Sequence, residues 1–284
     1  MTATIATAVP AHHVPTRRVR FEDQLDDLPK DFAGDPILSA VLMVLSATFP
    51  DGEDYFVRSV RHFRDQVTDP ELAEQVKGFI GQESIHGREH RALNDKLAEL
   101  GHPTKKIERF VKRSLGFREK VQTPRANLAT TAALEHFTAV FAEQILSSKE
   151  AQEALEHDEV RSLFLWHALE ESEHKAVAFD VYRHVGGKEW VRKTVMNVIT
   201  TGFVLGASAA VVAGLLLDPR ARRDPRGALR ELAASPFFTK GMWRRLRDYN
   251  RTGFHPDDVD TTELVERWRE ELFGADGRLR SKVA

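Results

Sequence analysis

Gly81-Gln82-Glu83-Ser84-Ile85-His86-Gly87 and Leu169-Glu170-Glu171-Ser172-Glu173-His174-Lys175 decide how this chain is read. Each contains Glu-x-x-His, which on a helix sets a carboxylate and an imidazole one turn apart on one face. Both lie in long runs of helical periodicity. Phe79, Glu83, His86, His90, Leu93 and Leu97 share one face of the first, and Phe164, His167, Glu171, His174, Ala178 and Val181 one face of the second. The polar groups therefore point where a core belongs. A carboxylate facing a core without a partner loses its hydration at a cost of roughly several kcal/mol. Several converging carboxylates would also repel one another, and two divalent cations remove both penalties.

A single Glu-x-x-His means little, because 24 Glu and 12 His in this chain give about one match at random. A third match, Glu99 to His102, straddles a Gly-Pro break and cannot share a helix face. Two further carboxylates lift the first pair above chance. Glu135 sits in an apolar run, with Leu128, Thr131, Ala139 and Ala142 on its face; Glu143 is its rival. Glu53 stands near an expected helix start, where a surface carboxylate is common, but Phe56, Val57 and Val60 continue its face inward. Two single Glu helices plus two Glu-x-x-His helices are the ligand set of a ferritin-like di-iron or di-manganese bundle. The expected ligands from this pattern are Glu53, Glu83, His86, Glu135, Glu171 and His174. His90, one turn after His86, is expected behind the ligands, orienting them, with direct ligation as the alternative. His136 faces elsewhere and reads as structural.

Composition narrows the chemistry. The chain has 284 residues, 42% hydrophobic and 30% charged, so a packed core is expected. The absence of Cys excludes disulfides, thiolate nucleophiles and iron–sulfur clusters. Any metal must be held by His and carboxylate, which suits iron, manganese or zinc. A net charge of −2 gives no basis for nucleic acid as a partner.

Strand signals are scarce, and the expected fold is all-α: a ferritin-like four-helix bundle with extra N- and C-terminal helices. Residues 1–18 read as a flexible tail without a secretory signal, which implies a cytoplasmic protein. The bundle is expected over 19–190. Within it a helix over 36–47 is broken at Pro50-Asp51-Gly52, and another runs from 51 to about 66. Asp69-Pro70 and Thr123-Pro124 start helices over about 70–100 and 124–148. A short basic helix follows Thr104, and one long helix runs from 158 to about 185. Residues 191–223 hold a run, 194–217, with no charged residue. It is long enough to span a bilayer and contains Gly202-x-x-x-Gly206, which lets helices approach closely. Membrane contact, burial as a hairpin and burial at a homodimer interface are all open at this point. Residues 224–284 read as a polar extension of short helices with a turn at Gly253-Phe254-His255-Pro256.

Two resemblances sharpen the expectation. Phe79-Ile80-Gly81-Gln82-Glu83-x-x-His86-Gly87-x-Glu89-His90, Ala132-Ala133-Leu134-Glu135-His136-Phe137 and Glu173-His174-Lys175-Ala176-Val177-Ala178-Phe179-Asp180 resemble the bacterial family called predicted metal-dependent hydrolases. The likeness covers about residues 18–273. Separately, the order Glu, Glu-x-x-His, Glu, His-x-x-x-Glu-x-x-His is similar to that of di-iron arylamine N-oxygenases, and it is this likeness that implies a ligand role for His167. The first implies metal-dependent hydrolysis, the second a di-iron oxidase or oxygenase acting with O2 on a small organic molecule. Ferritin-like iron binding without catalysis is the third reading. The chain has no Gly-x-Gly-x-x-Gly fingerprint for a flavin or nicotinamide, so electrons would come from a donor protein or from the substrate.

Overall fold

A computed structural model describes residues 13–21, 25–33, 36–217, 222–234 and 239–283. The fold is all-α: among the described residues the only β pairing is an isolated bridge between Val19 and Val283. The helices are α1 (Pro36–Arg61), α2 (Pro70–Glu99), α3 (Thr104–Val121), α4 (Pro124–Ser147), α5 (Lys149–Glu153), α6 (Asp158–His174), α7 (Val177–His184), α8 (Glu189–Leu217), α9 (Pro225–Ala234), α10 (Lys240–Asp248) and α11 (Thr262–Phe273). The α2 and α4 starts follow their sequence signals. Asp69 accepts a hydrogen bond from the Leu72 amide and Thr123 from the Ala126 amide, each just ahead of an N1 proline. α2 stops at Gly101, whose positive φ of 92° suits glycine.

Helices α1, α2, α4 and α6 pack around one another, with α1 against α2 and α4, and α6 against α4 and α2. Two apolar clusters lie along this bundle. One includes Leu42, Leu93, Leu97, Leu163 and Trp166, and α11 adds Trp268. The other includes Tyr55, Phe79, Leu128, Val140, Phe179 and Tyr249. On α2, Phe79 belongs to one cluster and Leu93 to the other. Glu83 and His86 interrupt the stripe between them. α6 repeats this: Leu163 to Leu169 lie on one side, the apolar start of α7 on the other, and Glu171 and His174 between.

Several expectations need correction. Pro50 does not break the chain; it lies inside α1, so Glu53 sits mid-helix rather than near a start. A proline has no N–H, so the Ser46 carbonyl one turn earlier loses its usual donor. The Asn94 side-chain amide of α2 donates to that carbonyl at 3.0 Å, which satisfies it. The long helix expected over 158–185 is two, α6 and α7, separated by a turn at Lys175-Ala176. The tail boundary is also too late. Residues 1–12 lie outside the described residues, but 13–18 are seated on α2, with Val14 buried and Arg17 paired to Glu170 and Glu173. Gly78 and Gly81 permit this approach, since a Cβ at either would collide with Val14 or Thr16.

The uncharged run falls within α8. Among the described residues no helix is long and apolar enough to cross a membrane. Polar Asn197, Thr200 and Thr201 dilute its hydropathy, and its N-terminal turns pack on α4. Nothing lies within contact of a Cβ placed on Gly202 or Gly206, so the close helix approach expected there is not seen.

Candidate metal centre

Each of the four packed helices brings its carboxylate inward. Glu53 from α1, Glu83 from α2, Glu135 from α4 and Glu171 from α6 are all buried, as are His86, His167 and His174. Two triads could each hold a metal ion: Glu53, His86 and His167, and Glu83, Glu171 and His174. Within each triad the ligand atoms lie within 4.8 Å of one another. Glu135 joins them, its Oε2 lying 3.3 Å from His174 Nε2. His174 Nε2 is also 3.2 Å from Glu83 and 3.4 Å from Glu171. His86 Nδ1 is 3.6 Å from both Glu83 and Glu171.

The donor atoms are close but unsatisfied. Both oxygens of Glu53, Glu83 and Glu135, one of Glu171, Nδ1 of His86 and Nε2 of His174 have no hydrogen-bond partner. An orphaned buried polar atom costs about 1–3 kcal/mol, and more if charged. Together such atoms would consume a stability of roughly 5–15 kcal/mol. An ordinary buried ion-pair network satisfies its members, and this cluster does not. The pattern fits a donor set shaped for cations. Four carboxylates balance two divalent ions, and the imidazoles can stay neutral.

Electrostatics in the metal-free protein reflect this crowding. Burial, then Glu83 and Glu171, raises the Glu53 pKa well above the usual carboxylate value. Burial, then Glu171, pushes Glu83 up to about 8. Glu135 is raised by burial and by the Glu171 and Glu83 charges. Burial also opposes ionisation of Glu171, but His174 and His167 hold it well below the usual value. Burial alone would discharge His174; the Glu171 and Glu135 carboxylates keep its proton and raise its pKa. That proton stands where a metal ion would supply the charge.

A further set of side chains aims the imidazoles. His86 Nε2–H donates to Glu170 at 3.0 Å, leaving Nδ1 for the centre. Gln82 uses its amide N–H groups on the Pro15 carbonyl and Glu173, so its oxygen must accept from His174 Nδ1–H, at 2.8 Å. The arrangement is crossed: the residue before each motif's Glu supports the other motif's His. Arg17 holds Glu170 and Glu173 in turn, and Arg269 also binds Glu173. Behind His167 runs a longer chain. Asn94 donates its N–H groups to the Ser46 carbonyl and Glu108, so its oxygen accepts the Ser46 hydroxyl at 2.7 Å. The Ser46 oxygen is then free to accept from His90 Nδ1–H at 2.9 Å. His90 Nε2 accepts from His167 Nδ1–H at 2.6 Å, which turns His167 Nε2 toward Glu171 and Glu53. Such supporting bonds fix tautomer and ring orientation.

Every expected ligand thus reaches one cluster, and His90 stands behind His167. Glu143 is elsewhere, beside Lys175 and Arg245. His136 is also apart; its Nε2–H donates to the Arg245 carbonyl, and burial lowers its pKa to about 4. Gln82, Glu170, Ser46, Asn94 and Arg17 were not anticipated. Gln82 and Glu170 did carry a signal, as polar residues directly ahead of each Glu-x-x-His in helices with buried faces.

A family model described as predicted metal-dependent hydrolase matches residues 15–260. The chain belongs to that family. No curated protein and no solved structure matches it. As a member of the predicted metal-dependent hydrolases it is metal-dependent, in agreement with the two triads. The match takes in all seven expected ligands and residues 15–18 of the seated N-terminal segment, and stops short of α11.

A cavity of about 870 Å³ opens beside the centre. Its inner end is formed by Glu53, His167 and Glu171 and its walls by apolar side chains such as Leu45, Phe56, Leu134, Phe141 and Phe164. Its lining also includes the exposed Phe110, Phe117 and Val121 of α3 and the half-buried Phe203 of α8. That size and lining suit a largely apolar organic ligand.

Proposed function

We propose that this protein is a ferritin-like dinuclear oxidase or oxygenase acting on an apolar organic substrate. The observation that carries the reading is the apolar cavity ending on Glu53, His167 and Glu171. Two iron ions in this donor set would supply O2 reduction coupled to substrate oxidation. Glu53, Glu83, Glu135 and Glu171 would hold and charge-balance the two ions, with His86, His167 and His174 completing the donor set. Gln82, Glu170 and His90 would keep the three imidazoles aimed. The apolar walls would exclude water and hold the substrate by shape. Electrons would come from the substrate or from a donor protein.

The family description favours a second reading, in which the centre activates water for hydrolysis. Hydrolysis also asks for groups that bind the scissile carbonyl or phosphoryl and protonate the leaving group. Beyond the ligands the cavity wall is mostly apolar, its polar members being Thr48, Ser114, Arg118, Gln122, Thr130 and Thr138, which is why oxidation is preferred.

Metal analysis of anaerobically purified protein, followed by O2-uptake measurement, separates the two. About two irons per chain and O2 consumption on exposure support the oxidase. Zinc or manganese, with O2-independent cleavage of ester or phosphoester probes, supports the hydrolase. Absence of metal after growth with each supplied ion would overturn both.

A further inference from the structure

We propose that the outer face of α3 docks this protein on an anionic lipid surface, and that the adjoining cavity takes a long-chain amphiphile from that surface. The second half rests on the cavity's role in the proposed metal chemistry; the docking does not.

α3 has an unusual exposed face. Phe110, Phe117 and Val121 are 71%, 68% and 62% exposed. At helical spacing these three and Ser114 fall within an arc of about 60°. Lys106, Arg113 and Lys120 repeat every seven residues and lie along one edge of that arc. All three are exposed and make no ion pair among the described residues. An apolar ridge with a basic edge is the pattern of a helix lying in a membrane interface. The ridge enters the acyl boundary while the long basic side chains reach the headgroups.

Charge complementarity favours this occupant. α3 carries seven Lys and Arg against two Glu, a net of +5 in a chain of net −2; the remainder is therefore −7. The positive charge is gathered beside the exposed phenylalanines. A second copy would fit poorly, because a twofold contact sets the same patch against itself. Lys106, Arg113 and Lys120 would then face their own copies.

The cavity gives the docking a purpose. The same helix forms part of its wall: Val111 and Leu115 line it, and so do Phe110, Phe117 and Val121 of the ridge. Ile199, Gly202 and Phe203 of α8 also line it, and α8 next exposes Val204 and Leu205. Exposed apolar side chains therefore flank the opening on both sides. Docked through α3, the mouth would meet the acyl layer, and an amphiphile could enter tail first without crossing water.

The test is co-sedimentation of the full chain with vesicles of phosphatidylglycerol in phosphatidylcholine, against phosphatidylcholine alone. It is run on chelated and on metal-loaded protein, so that docking is read independently of the metal. The expected result is binding to the anionic vesicles in both states, weakened by salt. Lys106→Glu/Arg113→Glu/Lys120→Glu and Phe110→Ser/Phe117→Ser should each lower the partition at least about tenfold, with helicity and metal content unchanged. Failure of the wild type to bind in both states would overturn the docking, as would undiminished binding by the charge-reversed variant. Concentration-dependent dimerisation abolished by Phe110→Ser/Phe117→Ser would also overturn it, in favour of a second copy. For the amphiphile, Leu134→Trp fills the cavity away from α3. It should block transfer of vesicle-borne parinaric acid while leaving docking intact; undiminished transfer overturns that half. Vesicle binding by a protein that takes up none of the supplied metal ions would sustain the docking and count against the metal chemistry alone.

Discussion

Replacing Glu83 with Gln should stabilise the metal-free protein and strip the metal from the loaded one. In the metal-free state burial, then the Glu171 charge, raises the Glu83 pKa to about 8. In the unfolded chain it stays near the ordinary carboxyl value of 4.5. At pH 7.5 the unfolded group is therefore ionised, and folding must take up a proton. A carboxyl raised on folding costs nothing below its unfolded pKa. The cost grows as pH rises through the window between the two values. At about 1.4 kcal/mol per pH unit, that is on the order of 4 kcal/mol at pH 7.5. Gln cannot ionise, and neither Glu83 oxygen makes a hydrogen bond that Gln would lose. Part of the gain will go to burying the amide. A net gain of a few kcal/mol should raise the chelated protein's melting midpoint by several degrees.

With metal present the order should reverse. A ligand held at about a thousand times its Kd adds about 4 kcal/mol to the wild type, and a variant lacking one carboxylate forfeits most of that. The assay is thermal unfolding in chelator and in saturating Mn(II), with metal content measured on both proteins. Were Glu83 half of an ordinary ion pair with His174, its removal would destabilise the chelated protein and leave the metal data unmoved. A Glu83→Gln protein less stable than wild type in chelator, yet fully loaded with metal, would refute the reasoning.

Three further outcomes are expected. Between pH 5.5 and 8 the chelated wild type should lose stability as pH rises, because Glu53, Glu83 and Glu135 all have raised pKa values. The metal-loaded protein should be flatter, and parallel pH profiles by calorimetry would contradict this. Glu170→Ala should weaken metal binding about 10–100-fold in a chelator competition, because His86 loses the acceptor that aims Nδ1 inward; unchanged affinity would remove Glu170 from the site. Gly81→Ala should push residues 13–17 off α2, at about 1–3 kcal/mol. Trypsin should then cut after Arg17 or Arg18 faster than in wild type, and equal cleavage rates would show that the segment is not seated there.

The candidate ligands were legible because a helix converts spacing into direction. Glu-x-x-His at positions 83–86 and 171–174, within apolar stripes, fixes two side chains per helix without knowledge of the partner. Glu53 and Glu135 were picked out by their place in the ligand order along the chain together with their apolar neighbours. The supporting residues were not legible, because their partners lie far away in sequence. Glu170 reaches His86 across 84 residues and Gln82 reaches His174 across 92.

The sequence by itself determined the helical class, the inward faces of α2, α4 and α6, and the set of carboxylates and imidazoles. These follow from local periodicity and from the cost of burying charge. Tertiary packing decided the rest. Asn94 of α2 caps the carbonyl that Pro50 leaves without a donor, and α1 continues where local preference would end it. Packing carried Glu53 to the centre and left Glu143 with Lys175 and Arg245. It seated residues 13–18 on two glycines of α2, and it opened an apolar cavity between helices whose sequences do not announce it. Such features depend on which surfaces meet, and a one-dimensional pattern specifies a face without specifying what it faces.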